Sequence, residues 1–218
     1  MKNRVLGIGN ALVDALVQVQ DEALLTEMNL PKGSMQLIDT EGYEAVCRRL
    51  SQMQVKRATG GSAANTVLAL AQLGAAPGII GRVSEDDNGH FFADNCKRVG
   101  IETFLLSSEL PTGVASTFIT PDGQRTFATY LGAAATLHAD DLRPEWLEGF
   151  SYLYIEGYLV QDHDLICRAV EMAHAAGLKV CLDLASYNIV EAQHEFFSYL
   201  LDHTDIVFAN EEEALAFT

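Results

Sequence analysis

Two adjacent glycines followed by small and polar residues form the stretch of this chain best suited to hold a small molecule. Residues 59–66 (Thr-Gly-Gly-Ser-Ala-Ala-Asn-Thr) run directly into the apolar helix pattern of residues 67–73. Gly60 and Gly61 remove every Cβ from a turn, and the following helix presents unpaired N–H groups and the positive end of its dipole. Such a turn favours oxygen-rich, partly anionic ligands. The alternative is a structural strand-to-helix turn that Ser62 caps.

Two carboxylates lie where they could face such a ligand. Asp14 lies in the apolar, β-rich stretch 10–19, so it either faces solvent on a half-exposed strand or points into a polar pocket. Glu156 directly follows a predicted strand at 152–155, and open α/β sheets place ligand groups at strand ends of this kind. Its alternative is a solvent-facing loop acid.

The Gly-Ile-Gly run at residues 7–9 resembles part of a dinucleotide fingerprint. Extended chain follows it, however, where that fingerprint requires a helix. A nicotinamide oxidoreductase is therefore disfavoured, although it stays open as a third hypothesis.

Composition excludes several classes of partner. The 218 residues carry a formal net charge of −16 and are 49% hydrophobic, which is enough for a full core. An acidic field of this size repels nucleic acid and anionic membranes. The four widely spaced cysteines predict reduced core thiols, and neither a signal peptide nor a membrane-spanning run is evident. We expect a cytoplasmic protein.

Strand and helix patterns alternate through most of the chain, which predicts one α/β domain over residues 1–218 with a mostly parallel sheet flanked by helices. The exception is a predicted hairpin. Residues 112–120 and 124–130 are β-rich and are joined by Pro-Asp-Gly at 121–123, a strong turn signal. A hairpin that interrupts β–α alternation predicts a separate small sheet or flap.

Several motifs, in order, resemble one family. The Gly-Gly-Ser-Ala-Ala-Asn run at 60–65, Leu-Gly at 73–74 and the segment 81–89 (Gly-Arg-Val-Ser-Glu-Asp-Asp-Asn-Gly) are similar to the N-terminal signature of the ribokinase-like (PfkB-type) carbohydrate and nucleoside kinases. The run Tyr-Leu-Gly-Ala-Ala at 130–134 is more similar to the adenosine-kinase branch. Residues 183–187 lack the Asp-x-Asn-x-Arg pattern frequent in sugar-acid and fructose kinases, which argues against those substrates.

The resemblance implies a ribokinase-like fold with a small β-sheet lid, whose segments would lie at about 12–38 and 112–131 within the incomplete domain 1–218. It also implies ATP- and Mg²⁺-dependent phosphorylation of a hydroxymethyl group on a sugar or nucleoside. Asp14 and Asn65 would clamp hydroxyl groups, since a carboxylate accepts from two vicinal hydroxyls while an amide both donates and accepts. Gly60 and Gly61 would let the sugar ring lie flat against the chain, and Glu156 would face the same pocket.

Further roles follow from the same resemblance. Arg125, just after the hairpin turn, would reach the substrate or a phosphate, or would simply be solvated. In the Asn-x-x-Glu motif, Asn210 would face the phosphates and Glu213 would hold Mg²⁺, whereas the alternative is an acidic first helical turn. Four apolar hairpin residues would close over the substrate, or else pack the sheet or form a homodimer through the lid: Val114, Phe118, Phe127 and Tyr130.

One family motif does not occur. The signature Asp-Thr-x-Gly-Ala-Gly-Asp, which supplies the catalytic base and the anion hole, is not found in the 218 residues. We therefore expect the substrate-binding part of a kinase, inactive as given, with its catalytic residues beyond Thr218. The alternative is a sugar- or nucleoside-binding protein without catalysis.

Overall fold

The computed structural model describes residues 3–218, and its strands form two sheets. The strands are β1 Val5–Ile8, β2 Leu12–Gln18, β3 Met35–Leu37, β4 Lys56–Gly60, β5 Gly78–Ser84, β6 Glu102–Ser108, β7 Gly113–Ile119, β8 Arg125–Tyr130, β9 Tyr152–Ile155, β10 Lys179–Asp183 and β11 Ile206–Phe208. The helices are α1 Ala23–Glu27, α2 Thr40–Leu50, α3 Ser62–Gln72, α4 Asp87–Arg98, α5 His163–Ala175, α6 Tyr187–Ala192, α7 His194–Leu201 and α8 Glu211–Phe217. Short 3₁₀ turns span Gly132–Thr136, Ala139–Asp141, Pro144–Leu147 and Gly157–Gln161.

The central sheet has six strands in the order β11-β10-β9-β1-β5-β6, and every neighbouring pair is parallel. One face packs on α5 and α7, where Ile166 and Phe197 are fully buried. The other face packs on α3 and α4 through Val67 and Phe92. A parallel sheet covered on both faces explains the apolar runs of the sequence, and the predicted α/β fold class is confirmed.

The second sheet is mixed, with five strands in the order β3-β8-β7-β2-β4. Strands β7 and β8 form the hairpin that the sequence predicted. Strand β4 pairs antiparallel with β2, although it lies outside the two segments predicted for a second sheet. It was missed because Lys56 and Arg57 give its first half no apolar pattern.

The two faces of the second sheet differ. One face packs on α1 and α2 and buries Val17, Phe118 and Ala128. Residues of the other face, among them Asp14 and Phe127, line a cavity. Because side chains alternate along a strand, one sheet carries both a core and a cavity wall.

The segment 81–89 joins the two sheets. Asp86 caps α4 by accepting from the Gly89 backbone N–H at 2.7 Å, and it also accepts from the N–H and hydroxyl of Thr112 at 2.9 and 2.7 Å. A Cβ at Gly89 would lie 1.9 Å from the Ser84 carbonyl oxygen, so only glycine fits this turn. This part of the sequence signature therefore has a structural role, because Thr112 directly precedes β7.

The helices are short, and the longest, α5, has 13 residues. Within residues 3–218, none of them combines the length and the apolar character needed to cross a bilayer.

Candidate functional site

A cavity of about 510 Å³ lies between the carboxyl ends of β1 and β9 and the open face of the second sheet. Ligands of α/β proteins bind at such strand ends, and the volume falls in the range of small-molecule sites. Its polar lining comprises Asn10, Asp14, Ser62, Asn65, Thr129, Glu156, Tyr158, Gln161 and Asp162.

The two glycines have well-defined steric reasons to be glycine. Gly61 has φ +95°, and a Cβ there would lie 2.1 Å from the Asn10 carbonyl oxygen. A Cβ at Gly60 would lie 2.2 Å from a carboxylate oxygen of Asp14. Gly61 lines the cavity, whereas Gly60 is not among the lining residues and makes room for the Asp14 side chain. The substrate-binding roles of both glycines stay predictions. The space that the missing Cβ atoms leave at Gly60 and Gly61 is therefore used first by other protein groups, and not by a ligand.

Glu156 is 2% exposed and is held by hydrogen bonds to the protein. One carboxylate oxygen accepts from the Asn10 side-chain amide at 2.7 Å, and the other accepts from the Ala63 backbone N–H at 2.9 Å. Burial raises the pKa of Glu156, and the hydrogen bonds from Ala63 and Asn10 oppose that effect. The side chain lines the cavity and also satisfies the first turn of α3, and its role toward a substrate stays a prediction.

The alternative interpretation, in which Ser62 caps the helix, is wrong. Gly61 is the N-cap residue and offers no side chain, and Ser62 is already the first helical residue. The Ser62 hydroxyl instead donates to the Asp183 carboxylate at 2.9 Å, which ties α3 to the end of β10. Glu156, from β9, provides the acceptor that a capping side chain usually supplies.

Asp14 is placed differently from Glu156. It is half-buried on β2, between Ala58 of β4 and Ala115 of β7, and its carboxylate makes no hydrogen bond to any residue from 3 to 218. Burial raises the pKa of Asp14 to about 6, and the positive charge of Arg125 opposes this. A carboxylate without a partner on a cavity wall is available to a ligand.

Two amides in the cavity lining are available in the same sense. Among its carboxylate and amide side chains, Asn10, Glu156 and Asp162 are hydrogen-bonded to protein groups. Like Asp14, Asn65 and Gln161 line the cavity and make no side-chain hydrogen bond within the described residues. Asn65 was predicted from the sequence. Gln161 was not, although its position in the loop after a predicted strand was a usable signal.

Arg125 lies at the exposed start of β8, and it is not among the residues that line the cavity. It shares a strand face with Phe127 and Thr129, which do line it, since the three alternate along β8. Its charge partly offsets the rise in the pKa of Asp14 that burial causes. The structure thus places Arg125 on the face of the second sheet that carries the cavity, beyond the lining.

Asn210 and Glu213 lie outside the cavity lining and bind each other at the start of α8. The Asn210 side chain accepts from the Glu213 N–H at 2.9 Å, while the Glu213 carboxylate accepts from the Asn210 N–H at 2.9 Å and its amide at 2.7 Å. This is a capping box with both carboxylate oxygens engaged. The roles of Asn210 toward phosphate and Glu213 toward Mg²⁺ stay predictions.

Thr218 lies at the other end of α8, where it is the C-cap residue. Its hydroxyl donates to the Ala214 carbonyl at 3.1 Å, and it is not among the residues that line the cavity. The expectation that a catalytic base and an anion hole lie beyond Thr218 concerns residues outside this chain, and it stays a prediction.

The described part of the chain brings together no group of three or more His, Cys, Asp or Glu that could hold a metal ion. The capped carboxylate of Glu213 is therefore not part of an acidic metal-ligand cluster within residues 3–218.

Only one of the four apolar hairpin residues expected over the substrate reaches the cavity. Phe127 lines it, whereas Val114 and Phe118 pack in the core on the opposite face. The Tyr130 ring stacks on Tyr43 of α2 at a centroid distance of 4.5 Å. Strand alternation separates Phe127 from the other three residues.

The remainder of the cavity wall is apolar. Its members come from the second sheet, the 3₁₀ turn after β8 with its flanking residues, the 3₁₀ turn after β9 and the start of α5: Leu12, Met35, Leu37, Ala115, Phe127, Leu131, Ala134, Ala135, Leu137, Leu159 and Leu165. Arg82 of β5 holds part of this wall, because its guanidinium donates to the Thr136 carbonyl and pairs with Asp141 at 2.7 Å. The cavity thus combines a few available polar groups with an extensive apolar surface.

Residues 32–218 match the family model described as pfkB family carbohydrate kinase. The chain belongs to this family. Guanosine-inosine kinase of Escherichia coli strain K12 is 26% identical over 229 residues, an alignment that covers 98% of this chain and 52% of the relative. The chain thus spans about half the length of that curated relative.

Solved structures agree. The adenosine kinase from Sinorhizobium meliloti is 34% identical with a TM-score of 0.87, and the similarity covers 100% of this chain and 68% of that one. A probable sugar kinase from Rhizobium etli CFN 42 is 31% identical with a TM-score of 0.88, covering 100% and 67%. The ribokinase-like fold and the adenosine-kinase branch predicted from the sequence are confirmed.

Proposed function

We propose that this pfkB family protein binds a nucleoside in the cavity and takes part in phosphorylating its hydroxymethyl group with ATP. The observation that carries the proposal is the half-buried Asp14 carboxylate, which faces the cavity without a partner among residues 3–218. Family membership supports phosphoryl transfer as the reaction.

The polar end of the cavity suits a ribose. The Asp14 carboxylate accepts hydrogen bonds from two vicinal hydroxyls, and the Asn65 amide donates to or accepts from a hydroxyl or the ring oxygen. Gly61 beside them leaves room for the ring. Holding the sugar at several points orients the hydroxymethyl group for in-line attack, which is the main contribution a protein makes to this chemistry.

The apolar wall favours a nucleoside over a free sugar. Phe127, Leu131 and Leu137 offer contacts to a flat heteroaromatic ring, whereas a free sugar would leave this surface in contact with water. Two of the named relatives, a guanosine-inosine kinase and an adenosine kinase, support a nucleoside, whereas a third is a probable sugar kinase.

ATP with Mg²⁺ would supply the phosphoryl group when bound. Asn210 at the start of α8 is the residue we assign to the phosphates, and Glu213 is the carboxylate we assign to the metal. Both belong to a cap that prevents them from rearranging freely. A magnesium ion bound with nucleotide needs only one or two protein carboxylates. Glu213 would fill that role through a bridging water, because each of its oxygens already accepts a hydrogen bond from Asn210.

The alternative is a sugar- or nucleoside-binding protein without catalysis. Neither the cavity lining nor the 218-residue sequence contains the Gly-Ala-Gly-Asp motif that would supply the base. Release of ADP that depends on nucleoside supports the kinase, whereas saturable nucleoside binding with no ADP release from the whole gene product supports the binder.

The decisive experiment is calorimetric titration of the chain with adenosine, inosine and ribose. We expect saturable binding of the nucleosides, weaker binding of ribose, and loss of nucleoside binding in Asp14→Ala. Asp94→Ala, on the exposed face of α4, is the matched control and should bind as the wild type does. Unchanged affinity in Asp14→Ala would refute the assignment of the site.

A homodimer through the second sheet is a separate proposal. Its edge strand β3 exposes Met35 and Leu37, which are 46% and 56% exposed, and unpaired apolar edges favour pairing with another chain. Sedimentation equilibrium would show a dimer that a Leu37→Lys variant converts to a monomer; a monomer in the wild type would refute it.

A further inference from the structure

Gln161 is an available amide in the cavity lining, two residues after Leu159 of the apolar wall. It ends the 3₁₀ turn Gly157–Gln161 that follows β9, it lines the cavity, and its side chain is exposed. Within residues 3–218 its amide makes no hydrogen bond, so no structural role is apparent for its polar group.

In contrast to Gln161, the neighbouring Asp162 already has hydrogen-bond partners in the protein. Asp162 caps α5 by accepting from the Leu165 N–H at 2.9 Å, and its other oxygen lies 3.2 Å from Nδ1 of His138. His138 belongs to the segment after Leu137, another apolar wall residue. Gln161 therefore directly precedes the residue that ties α5 to this wall, and it belongs to a different element from Asp14 and Asn65.

A purine base in the apolar part of the cavity would bring its own polar groups into an apolar environment. Burying the amino or oxo group of the base without a hydrogen bond is costly, so a site for such a ligand needs a polar partner there. With Asp14 and Asn65 assigned to the ribose, Gln161 is the available amide that remains in the described lining.

We propose that Gln161 binds the hydrogen-bonding edge of a purine base and determines which bases are accepted. The inference rests on the proposed nucleoside function and deepens it. An amide carries a donor and an acceptor side by side. In one orientation it accepts from the amino group of adenine and donates to the adjacent ring nitrogen; turned over, it donates to the oxo group of hypoxanthine and accepts from its ring N–H. One residue thus serves both 6-amino and 6-oxo purines.

The test is a thermodynamic cycle in which the proposed hydrogen bond is removed once by changing the ligand and once by changing Gln161. Adenosine and purine riboside, which lacks the amino group, are titrated into the wild-type chain and into Gln161→Met, a variant of similar length without polar atoms. We expect the wild type to bind adenosine about 10-fold more tightly than purine riboside, and the preference to fall within about 2-fold in Gln161→Met. Inosine binding should weaken about 10-fold or more in the same variant.

Gln72→Met, at the exposed end of α3 and outside the cavity lining, is the matched control and should keep the wild-type preference. Retention of the preference in Gln161→Met, or its absence in the wild type, would overturn the role of Gln161 while leaving nucleoside binding intact. If no nucleoside binds the wild type, the proposed function fails and the role of Gln161 fails with it.

Discussion

The two walls of the cavity differ in whether their buried carboxylates have hydrogen-bond partners in the protein. Where α3 meets the central sheet, Glu156 is fully paired with Asn10 and with the Ala63 N–H. On the second sheet, Asp14 is half-buried and has no hydrogen-bond partner among residues 3–218. Burial with partners stabilises a fold, whereas burial without them costs stability and is retained where a ligand provides the partner. The comparison separates Glu156, a carboxylate with structural partners, from Asp14, the carboxylate that we propose binds the ligand.

The largest effect on the free energy of unfolding is expected at Gly61, which lies at the junction where α3 meets the central sheet. Gly61→Ala would place a Cβ 2.1 Å from the Asn10 carbonyl in a backbone conformation that only glycine adopts easily. We expect a loss of about 3–5 kcal/mol in the free energy of unfolding, measured by urea denaturation, or loss of soluble protein.

Gly74 is the matched control for Gly61. It also has positive φ, +84°, but a Cβ there would meet nothing within 4 Å. Gly74→Ala should therefore cost only about 1–2 kcal/mol, the backbone part of the effect. Equal costs at the two positions would contradict the role of close packing at the junction.

Removal of the paired carboxylate is expected to have the next largest effect. Glu156→Ala leaves the Asn10 amide and the Ala63 N–H without acceptors in a buried place, so the free energy of unfolding should fall by about 2–4 kcal/mol. Glu156→Gln fills the same volume and keeps one acceptor oxygen, so it should cost less. Should urea denaturation show no loss for Glu156→Ala, the carboxylate is not structural.

Replacing the unpaired carboxylate of Asp14 should raise the free energy of unfolding, whereas replacing Glu156 should lower it. Burial raises the pKa of Asp14 from 3.8 to about 6, so between these values the folded chain binds a proton that the unfolded chain releases. Stability from this group is therefore full below about pH 4 and is lost as the pH rises toward 6. Since the side chain is partly exposed, Asp14→Asn should gain about 1–2 kcal/mol at pH 7.

Asp14→Asn should also lose affinity for nucleoside while it gains stability, because an amide cannot accept from two hydroxyls with both of its polar atoms. Denaturation at several pH values and calorimetry at pH 7 measure the two effects. If Asp14→Asn were destabilised at pH 7, the carboxylate would have a structural partner and the contrast with Glu156 would fail.

The smallest effect on the free energy of unfolding is expected in the loop after β10, on the side of the cavity where α3 meets the central sheet. Ala185 has φ +66°, which is unfavourable for any residue with a Cβ. Ala185→Gly should raise the free energy of unfolding by about 0.5 kcal/mol. In contrast, Ala69→Gly on the exposed face of α3 should lower it by about 1 kcal/mol, and thermal melts of both variants would show whether the signs differ.

Local signals predicted much of the fold. Strands 152–155 and 206–208, the hairpin around residues 121–123 and the α4 region were recognisable because apolar runs and turn residues are properties of a few neighbouring positions. Strand β4 was not, since its place next to β2 compensates for a polar first half.

The amino-acid sequence by itself determined the fold class and the family, because motif order and residue type are written along the chain. It also singled out Asp14 and Asn65, whose roles toward a ligand stay predictions. Only the tertiary structure decided which polar groups are already satisfied. Glu156 and Asp14 are both acids at predicted strands, and their difference depends on partners 93 and 146 residues away from Glu156. Gln161 could be recognised only in the same way, because whether a side-chain amide lacks a hydrogen-bond partner depends on surroundings that are assembled only by folding.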